Sequence, residues 1–372
     1  MKIISTLFLF AFLVLACGSQ QAVISSEEDL SQSAENIKKY PKNIILLIGD
    51  GMGLSEISAG LYYNDAPSNF ERFQTIGLIK TSSSSDLITD SAAGATAFSA
   101  GIKTYNGAIG VDKDQNPVET IVEIVSKKGL ATGLVATSSV VHATPGSFYA
   151  HQKKRKFYEN IAYDLVLSDI DFFAGGGLKF FNQRSDGRDL LVALERKDFE
   201  VHTSQLPTAM TTKKQAILLA EDGMPKMIEN RGSFLQDATT LAIQKMLENE
   251  EGFFLMIEGS QIDWGGHNNE ADYLIGEQID FDKTIGTVLD FAEKNGETLV
   301  IVTADHETGG FTLATKNGDY NQIEPVFSTG GHSATMVPVF AKGPMESDFA
   351  GIYENTAIFH KMVALFNQKR KQ

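Results

Sequence analysis

Ten consecutive residues concentrate the chemistry of this chain: Glu258-Gly-Ser-Gln-Ile-Asp263-Trp-Gly-Gly-His267. They follow an apolar run, Phe253 to Ile257, that reads as a buried strand. Two carboxylates and an imidazole leave its end together. Donors crowded in this way repel one another or stay unsatisfied unless a cation sits between them. The stretch therefore points to a metal site. Gly259, Gly265 and Gly266 are expected to let the backbone turn tightly around it.

Similar residues follow other apolar runs. Asp50 lies in Gly-Asp-Gly-Met-Gly, Thr144 in His142-Ala-Thr-Pro, Asp305 and His306 in Thr-Ala-Asp-His-Glu-Thr-Gly-Gly, and His332 in Thr-Gly-Gly-His-Ser. A lone aspartate after a strand is usually a turn former or helix cap. Five segments with this placement argue for one site. Histidines with carboxylates and no thiolates suit zinc, whereas carboxylates with a threonine hydroxyl suit magnesium. The set implies more than one ion. Two metals ~3.5–4 Å apart can clamp the attacking and leaving oxygens of an in-line displacement. A nucleophile is available in Thr89-Asp90-Ser91-Ala-Ala-Gly-Ala-Thr. Ser91 would open a small-residue helix and meet the positive end of its dipole. Taken alone, it would be read as a capping serine.

The elements that must position these residues are legible. Apolar runs at Ile44–Ile48, Gly77–Lys80, Thr132–Ala136, Phe253–Ile257, Leu299–Thr303 and Val337–Ala341 have strand length and β-branched content. Amphipathic helical patterns lie between them, at Val118–Lys128 and Tyr273–Glu293 for example. This alternation predicts an α/β three-layer sandwich, a mostly parallel sheet with helices on both faces. Ligands in such sheets gather beyond the carboxyl ends of the strands. The more polar region 175–231 reads as a peripheral insertion in a single domain, 41–372. At 372 residues the chain can bury one large core. Its net charge of −15 argues against nucleic-acid binding.

The amino terminus reads as a targeting segment. Lys2 precedes an apolar run, Ile3 to Ala16, of signal-peptide length. The run ends at Cys17, the only cysteine, an arrangement that resembles a bacterial lipoprotein signal. Residues 1–16 would be removed, Cys17 lipidated, and 17–40 left as a flexible tether. The protein is thus expected to be exported, as a periplasmic or membrane-anchored lipoprotein of a Gram-negative-type bacterium. With no further cysteine, the folded part is expected to lack disulfides.

Taken in order, these motifs resemble the alkaline phosphatase family, from about Asn43 to Pro338. The resemblance implies hydrolysis of phosphate monoesters through a phosphoserine at Ser91, with two Zn2+ and one Mg2+. It implies Asp263, His267 and His332 for the first zinc, and Asp305, His306 and Asp50 for the second. Asp50, Glu258 and Thr144 would hold the magnesium. Arg155, at the family's spacing from Thr144, is similar to the arginine that grips phosphate. His142 and Trp264 stand where certain bacterial members carry aspartate and lysine. His142 is expected to weaken magnesium retention or to bond a ligand, and Trp264 to be a lid or packing residue on the pocket rim. A homodimer is one implied state, although about 26 residues between His306 and His332 leave no room for the family's large crown-like insertion. Other readings are a phosphodiesterase or sulfatase of the same superfamily, or a non-catalytic phosphate-binding lipoprotein.

Overall fold

The computed structural model describes residues 39–368. The expected signal peptide, lipidated Cys17 and nearly all of the tether lie outside these residues. Among the described residues, no helix is long and apolar enough to cross a membrane.

The chain runs as β1 (Asn43–Gly49), α1 (Leu54–Tyr63), β2 (Thr75–Lys80), α2 (Ser91–Ala100), α3 (Ile121–Ser126), β3 (Ala131–Ser139) and α4 (Ala143–Gly146). It continues through α5 (Tyr158–Leu167), β4 (Phe172–Gly176), α6 (Lys179–Asn182), α7 (Leu190–Arg196), β5 (Phe199–His202), β6 (Lys214–Leu218) and α8 (Phe234–Met246). Next come β7 (Phe253–Gly259), α9 (Gln261–Asn268), α10 (Ala271–Asn295), β8 (Thr298–Thr303), β9 (Glu307–Thr308), β10 (Thr312–Lys316) and β11 (Asp319–Val326). The last elements are β12 (His332–Ser333), β13 (Val337–Lys342), β14 (Gly351–Glu354) and α11 (Thr356–Phe366).

Ten strands form one sheet in the order β14-β2-β13-β8-β1-β7-β3-β4-β6-β5. Only β13 runs against its neighbours. Every residue of β1, β3, β7 and β8 is buried, which accounts for the apolar runs at the centres of β1, β7 and β8. Helices α1, α8 and α10 pack together along the sheet, and α2, α3, α4 and α11 form a second group. The expected three-layer α/β architecture is therefore present.

Two expectations need adjustment. Region 175–231 does not stand outside the sheet: β6 pairs with β4 and β5 pairs with β6, extending one edge by two strands. Their short runs lack a clear period, so sequence pattern alone did not reveal them. The second concerns the opening stretch. Residues 261–268 are α-helical rather than a tight turn. There Gly265 and Gly266 permit close packing: a Cβ on Gly265 would come within 2.6 Å of the Leu274 backbone, and one on Gly266 within 2.7 Å of the Thr308 carbonyl.

Candidate active site

The site collects at the carboxyl ends of the central strands. β1 delivers Asp50, β7 delivers Glu258, and β8 delivers Asp305 and His306. Register sets Ile48 of β1 beside Glu258 on one side and Thr303 on the other, so these ends finish level. β3 leads into His142 and the single turn α4, which carries Thr144. β13 is antiparallel, so the residues before it, including His332, start at this same edge.

Asp263 and His267 lie four residues apart on α9 and therefore share a helix face. His267 Nε2 is 3.4 Å from Asp263 Oδ1 and 3.1 Å from His332 Nε2, and His332 Nε2 is 3.6 Å from Asp263 Oδ1. The other ring nitrogens are anchored. His267 Nδ1 lies 2.8 Å from the Gly330 carbonyl and His332 Nδ1 2.8 Å from the Thr89 carbonyl. A carbonyl can only accept, so each Nδ1 carries the proton and each Nε2 turns its lone pair inward, the arrangement a metal requires.

A second cluster is fully buried. His306 Nε2 lies 3.2 Å from Asp305 Oδ2, 3.6 Å from Asp50 Oδ1 and 3.3 Å from Ser91 Oγ. Asp305 Oδ1 accepts from the backbone N–H groups of Gly51 and His306. Gly94 of α2 lies directly against Asp305, where a Cβ would approach the aspartate Cβ at 2.9 Å. The small-residue character of α2 thus brings Ser91 onto this cluster. Asp90, not Ser91, is the N-cap; its carboxylate accepts from the Ala93 N–H. The serine hydroxyl is left free to face His306.

Thr144 Oγ1 donates to Asp50 Oδ2 at 3.3 Å, and Glu258 accepts from Ser138 Oγ at 3.1 Å. Asp50 Oδ1, Glu258 Oε1 and Asp305 Oδ2 are buried with no hydrogen-bond partner. Unpaired carboxylate oxygens of this kind are costly, and a divalent cation satisfies them. Asp263, His267 and His332 offer three ligand atoms mutually within 4.8 Å, and so do Asp50, Asp263 and His306. The donors fit zinc at the two histidine-bearing groups and a harder cation beside Asp50, Thr144 and Glu258.

Without cations the electrostatics are strained in one direction. Burial, then the charges of Asp305, Asp263 and Glu258, pushes Asp50 well above the usual carboxylate range. Burial also raises Glu258 and Asp305. Burial, reinforced by His332, holds His306 well below an ordinary imidazole. His142 is held down at about 3, first by burial and then by Arg155. Arg155 Nη1 contacts Asp90 Oδ2 at 3.0 Å, on the Ser91 side of the site.

One participant was missed from sequence. Thr308 Oγ1 donates to Asp263 Oδ1 at 2.6 Å and lies 3.2 Å from His306 Nδ1, tying the two clusters together. Its position two residues after His306 was the available signal. Trp264 is partly exposed and lines a cavity with His142. Its ring meets His142 edge-on with centroids 5.8 Å apart, and its far edge covers Gly223.

The chain matches the alkaline phosphatase family over residues 41–324. It belongs to the alkaline phosphatase family. Alkaline phosphatase 3 of Bacillus subtilis (strain 168) is 34% identical over 95% of this chain and 94% of its own length. The alkaline phosphatase of Escherichia coli (strain K12) is 31% identical over 89% of this chain and 87% of its own. Among solved structures, the alkaline phosphatase of the Antarctic bacterium TAB5 superposes with a TM-score of 0.87 at 55% identity, covering 89% of this chain and 100% of that one. A histidine-to-aspartate variant of that enzyme holds magnesium in its M3 site. The present chain is accordingly a metal-binding hydrolase of phosphate monoesters with the alkaline phosphatase fold.

Proposed function

We propose that this alkaline phosphatase works through Ser91 as nucleophile and Arg155 as the phosphate clamp. The observation that carries the reading is the placement of Ser91 Oγ, at the start of α2 and 3.3 Å from His306 Nε2. The chain would hold two Zn2+, one with Asp263, His267 and His332 and one with Asp50, Asp305 and His306. One Mg2+ would lie among Asp50, Glu258 and Thr144. When bound, these ions supply concentrated positive charge beside the attacking and leaving oxygens.

The protein's own groups then have distinct tasks. Ser91 Oγ forms the bond to phosphorus as the ester oxygen departs with the alcohol. The helix N-terminus favours negative charge at this position. The Arg155 fork holds two non-bridging oxygens and keeps the phosphoryl group aligned with Ser91. Water then displaces phosphate from Ser91, restoring the hydroxyl. Burial holds the His306 imidazole neutral, with a lone pair available to a cation.

His142, beside the proposed magnesium site and held neutral by burial, leaves that site less negative than an aspartate there would. A lipid anchor at Cys17 and a periplasmic location remain part of the proposal, supported by the apolar run ending at that cysteine. Replacement of Ser91 by Ala tests the core of the reading. The variant should bind zinc as the parent does, yet form no acid-stable phosphoseryl adduct and turn over a phosphate monoester at least about 1,000-fold more slowly. Unchanged turnover would remove Ser91 from the mechanism. Faster cleavage of a matched phosphodiester by the parent enzyme would favour the phosphodiesterase reading.

A further inference from the structure

Arg155 lies on the loop between α4 and α5, and a second loop, residues 101–120 between α2 and α3, holds it in place. Ile109 and Gln152 exchange N–H···O bonds at 2.9 and 2.8 Å, and the Arg155 N–H donates to the Gly107 carbonyl at 2.8 Å. The other side of this strip is fixed to the helix that Ser91 opens. Thr96 Oγ1 donates to the Ala108 carbonyl at 3.1 Å and accepts from the Gly110 N–H at 3.1 Å, while the Gly107 N–H is bonded to Asp90 Oδ1. Residues 107–110 are therefore the piece of backbone that sets Arg155 against α2.

One side chain ties both loops to a third element. His151 lies four residues before Arg155. Its Nδ1 is 2.7 Å from the Gly110 carbonyl and its Nε2 is 3.2 Å from Glu123 Oε1. A carbonyl and a carboxylate can only accept, so both ring nitrogens carry protons and the ring is an imidazolium. Glu123 is prepared for this partner. Its Oε2 accepts from the Thr120 N–H in the capping box of α3, which leaves Oε1 turned to the histidine. Asp164 of α5 accepts from the His151 N–H at 3.2 Å and from Gln152 Nε2 at 2.7 Å. Burial disfavours the charged ring, but the bonds to Glu123 and Gly110 and the charges of Glu123 and Asp164 outweigh it and raise its proton affinity. Gly110 is required where the ring docks: its φ is +56°, and a Cβ would stand 2.2 Å from the Ala150 carbonyl.

We propose that His151 is a positioning residue for the reaction: by bridging Gly110 and Glu123 it locks residues 107–110 to residues 151–155 and thereby fixes the Arg155 guanidinium relative to Ser91. The inference rests on the reading of Arg155 as the phosphate clamp. The bonds of His151 go to Gly110, Glu123 and Asp164, so its effect on phosphate passes through Arg155.

The test is inhibition of the holoenzyme by inorganic phosphate, in a cycle of His151→Ala and Arg155→Ala. His151→Ala should raise the phosphate Ki about tenfold, the worth of one charge-assisted hydrogen bond. KM for a phosphate monoester should rise with it, while kcat stays within about threefold and zinc content is that of the parent. Arg155→Ala should raise Ki at least as much, and adding His151→Ala to it should then change Ki by less than about twofold. The same rise in both backgrounds overturns the proposal, since His151 would then act without Arg155. A lower kcat with unchanged Ki, the mark of a merely structural loss, overturns it too. His151→Gln covers the case in which the alanine variant does not fold. Its single amide NH2 can serve Gly110 or Glu123 but not both, so Ki should rise about threefold; an unchanged Ki overturns the proposal. If Arg155→Ala leaves Ki unchanged, the clamp reading falls and the proposal with it. If Arg155→Ala raises Ki and His151→Ala does not, the clamp stands and only the positioning role falls.

Discussion

Asp90 holds Arg155 with one carboxylate oxygen and the start of α2 with the other. Oδ2 lies 3.0 Å from Arg155 Nη1, while Oδ1 accepts from the N–H groups of Ala93 and Gly107 at 3.0 Å each. The orientation of Arg155 is thus coupled to the orientation of the helix that Ser91 opens, through a third side chain.

These two roles can be separated. Asp90→Asn can still cap the helix but gives up the charge that orients Arg155. It should melt within about 0.5 kcal/mol of the parent and lose roughly tenfold in inhibition by inorganic phosphate. Asp90→Ala should show the same loss of inhibition and about 1 kcal/mol of destabilisation as well. Identical melting of the two variants would contradict the capping role.

A buried ionic cluster ties region 175–231 to α10. Arg231 Nη2 lies 2.5 Å from Glu277 Oε2 and 2.8 Å from Asp280 Oδ2, with all three side chains at 2% exposure or less. Arg231→Met leaves two carboxylates buried without a cation and should destabilise the protein by about 3–5 kcal/mol, read by chemical denaturation. A triple replacement of Arg231, Glu277 and Asp280 by apolar residues of matched size should recover much of that loss.

Metal removal should matter more as pH rises. In the metal-free protein, Asp50, Glu258 and Asp305 have raised proton affinities, chiefly through burial. Above the ordinary carboxylate range of about 4, the folded metal-free protein then binds more protons than the unfolded chain. Its stability therefore falls as pH increases. Bound cations take the place of those protons. The melting-temperature gap between metal-loaded and chelated protein should widen steadily from acidic to alkaline pH. A gap independent of pH would count against cations among these carboxylates.

Glu56 is a second pH-sensitive position. It is buried on α1 with neither oxygen paired to a donor, and burial followed by the charge of Glu307 pushes it well above the usual range. Glu307 accepts from Ser333 Oγ and the Phe311 N–H, which leaves Glu56 the natural bearer of the proton. Its contribution is complete below the unfolded value near 4.5 and is lost as pH rises through the folded one. Glu56→Gln should therefore be at least about 1 kcal/mol more stable than the parent at alkaline pH, with little difference near pH 4, as followed by thermal melting across pH.

Much of this architecture was legible in the chain because its central strands are buried on both faces. Runs such as Ile44–Ile48 and Leu299–Thr303 have little choice but to be strands in a covered parallel sheet, and the polar residues that end them stand out. β5 forms the edge of the sheet and is only partly buried, and β6 beside it is a five-residue run that opens on two polar residues, so neither sequence carries such a signature. The glycines of α9 illustrate a different limit. Gly265 and Gly266 look like turn formers, whereas their purpose is to let α9 approach α10 and β9, which depends on Leu274 in the next helix and on the distant Thr308. Thr308 was hidden for the same reason: its partner Asp263 lies 45 residues earlier.

The reversed direction of β13 has a consequence for the order of assembly. His332 reaches the site only because that strand enters the sheet from the ligand edge, between β8 and β2. The residues gathered there begin at Asp50 and finish at His332, so closing the set requires nearly the whole domain to have found its register. An emerging or partly unfolded chain can display Asp263 and His267 on α9, but not the third member of that trio. Assembly of that trio is therefore a readout of completed folding, and a chain that has yet to fold is chemically silent.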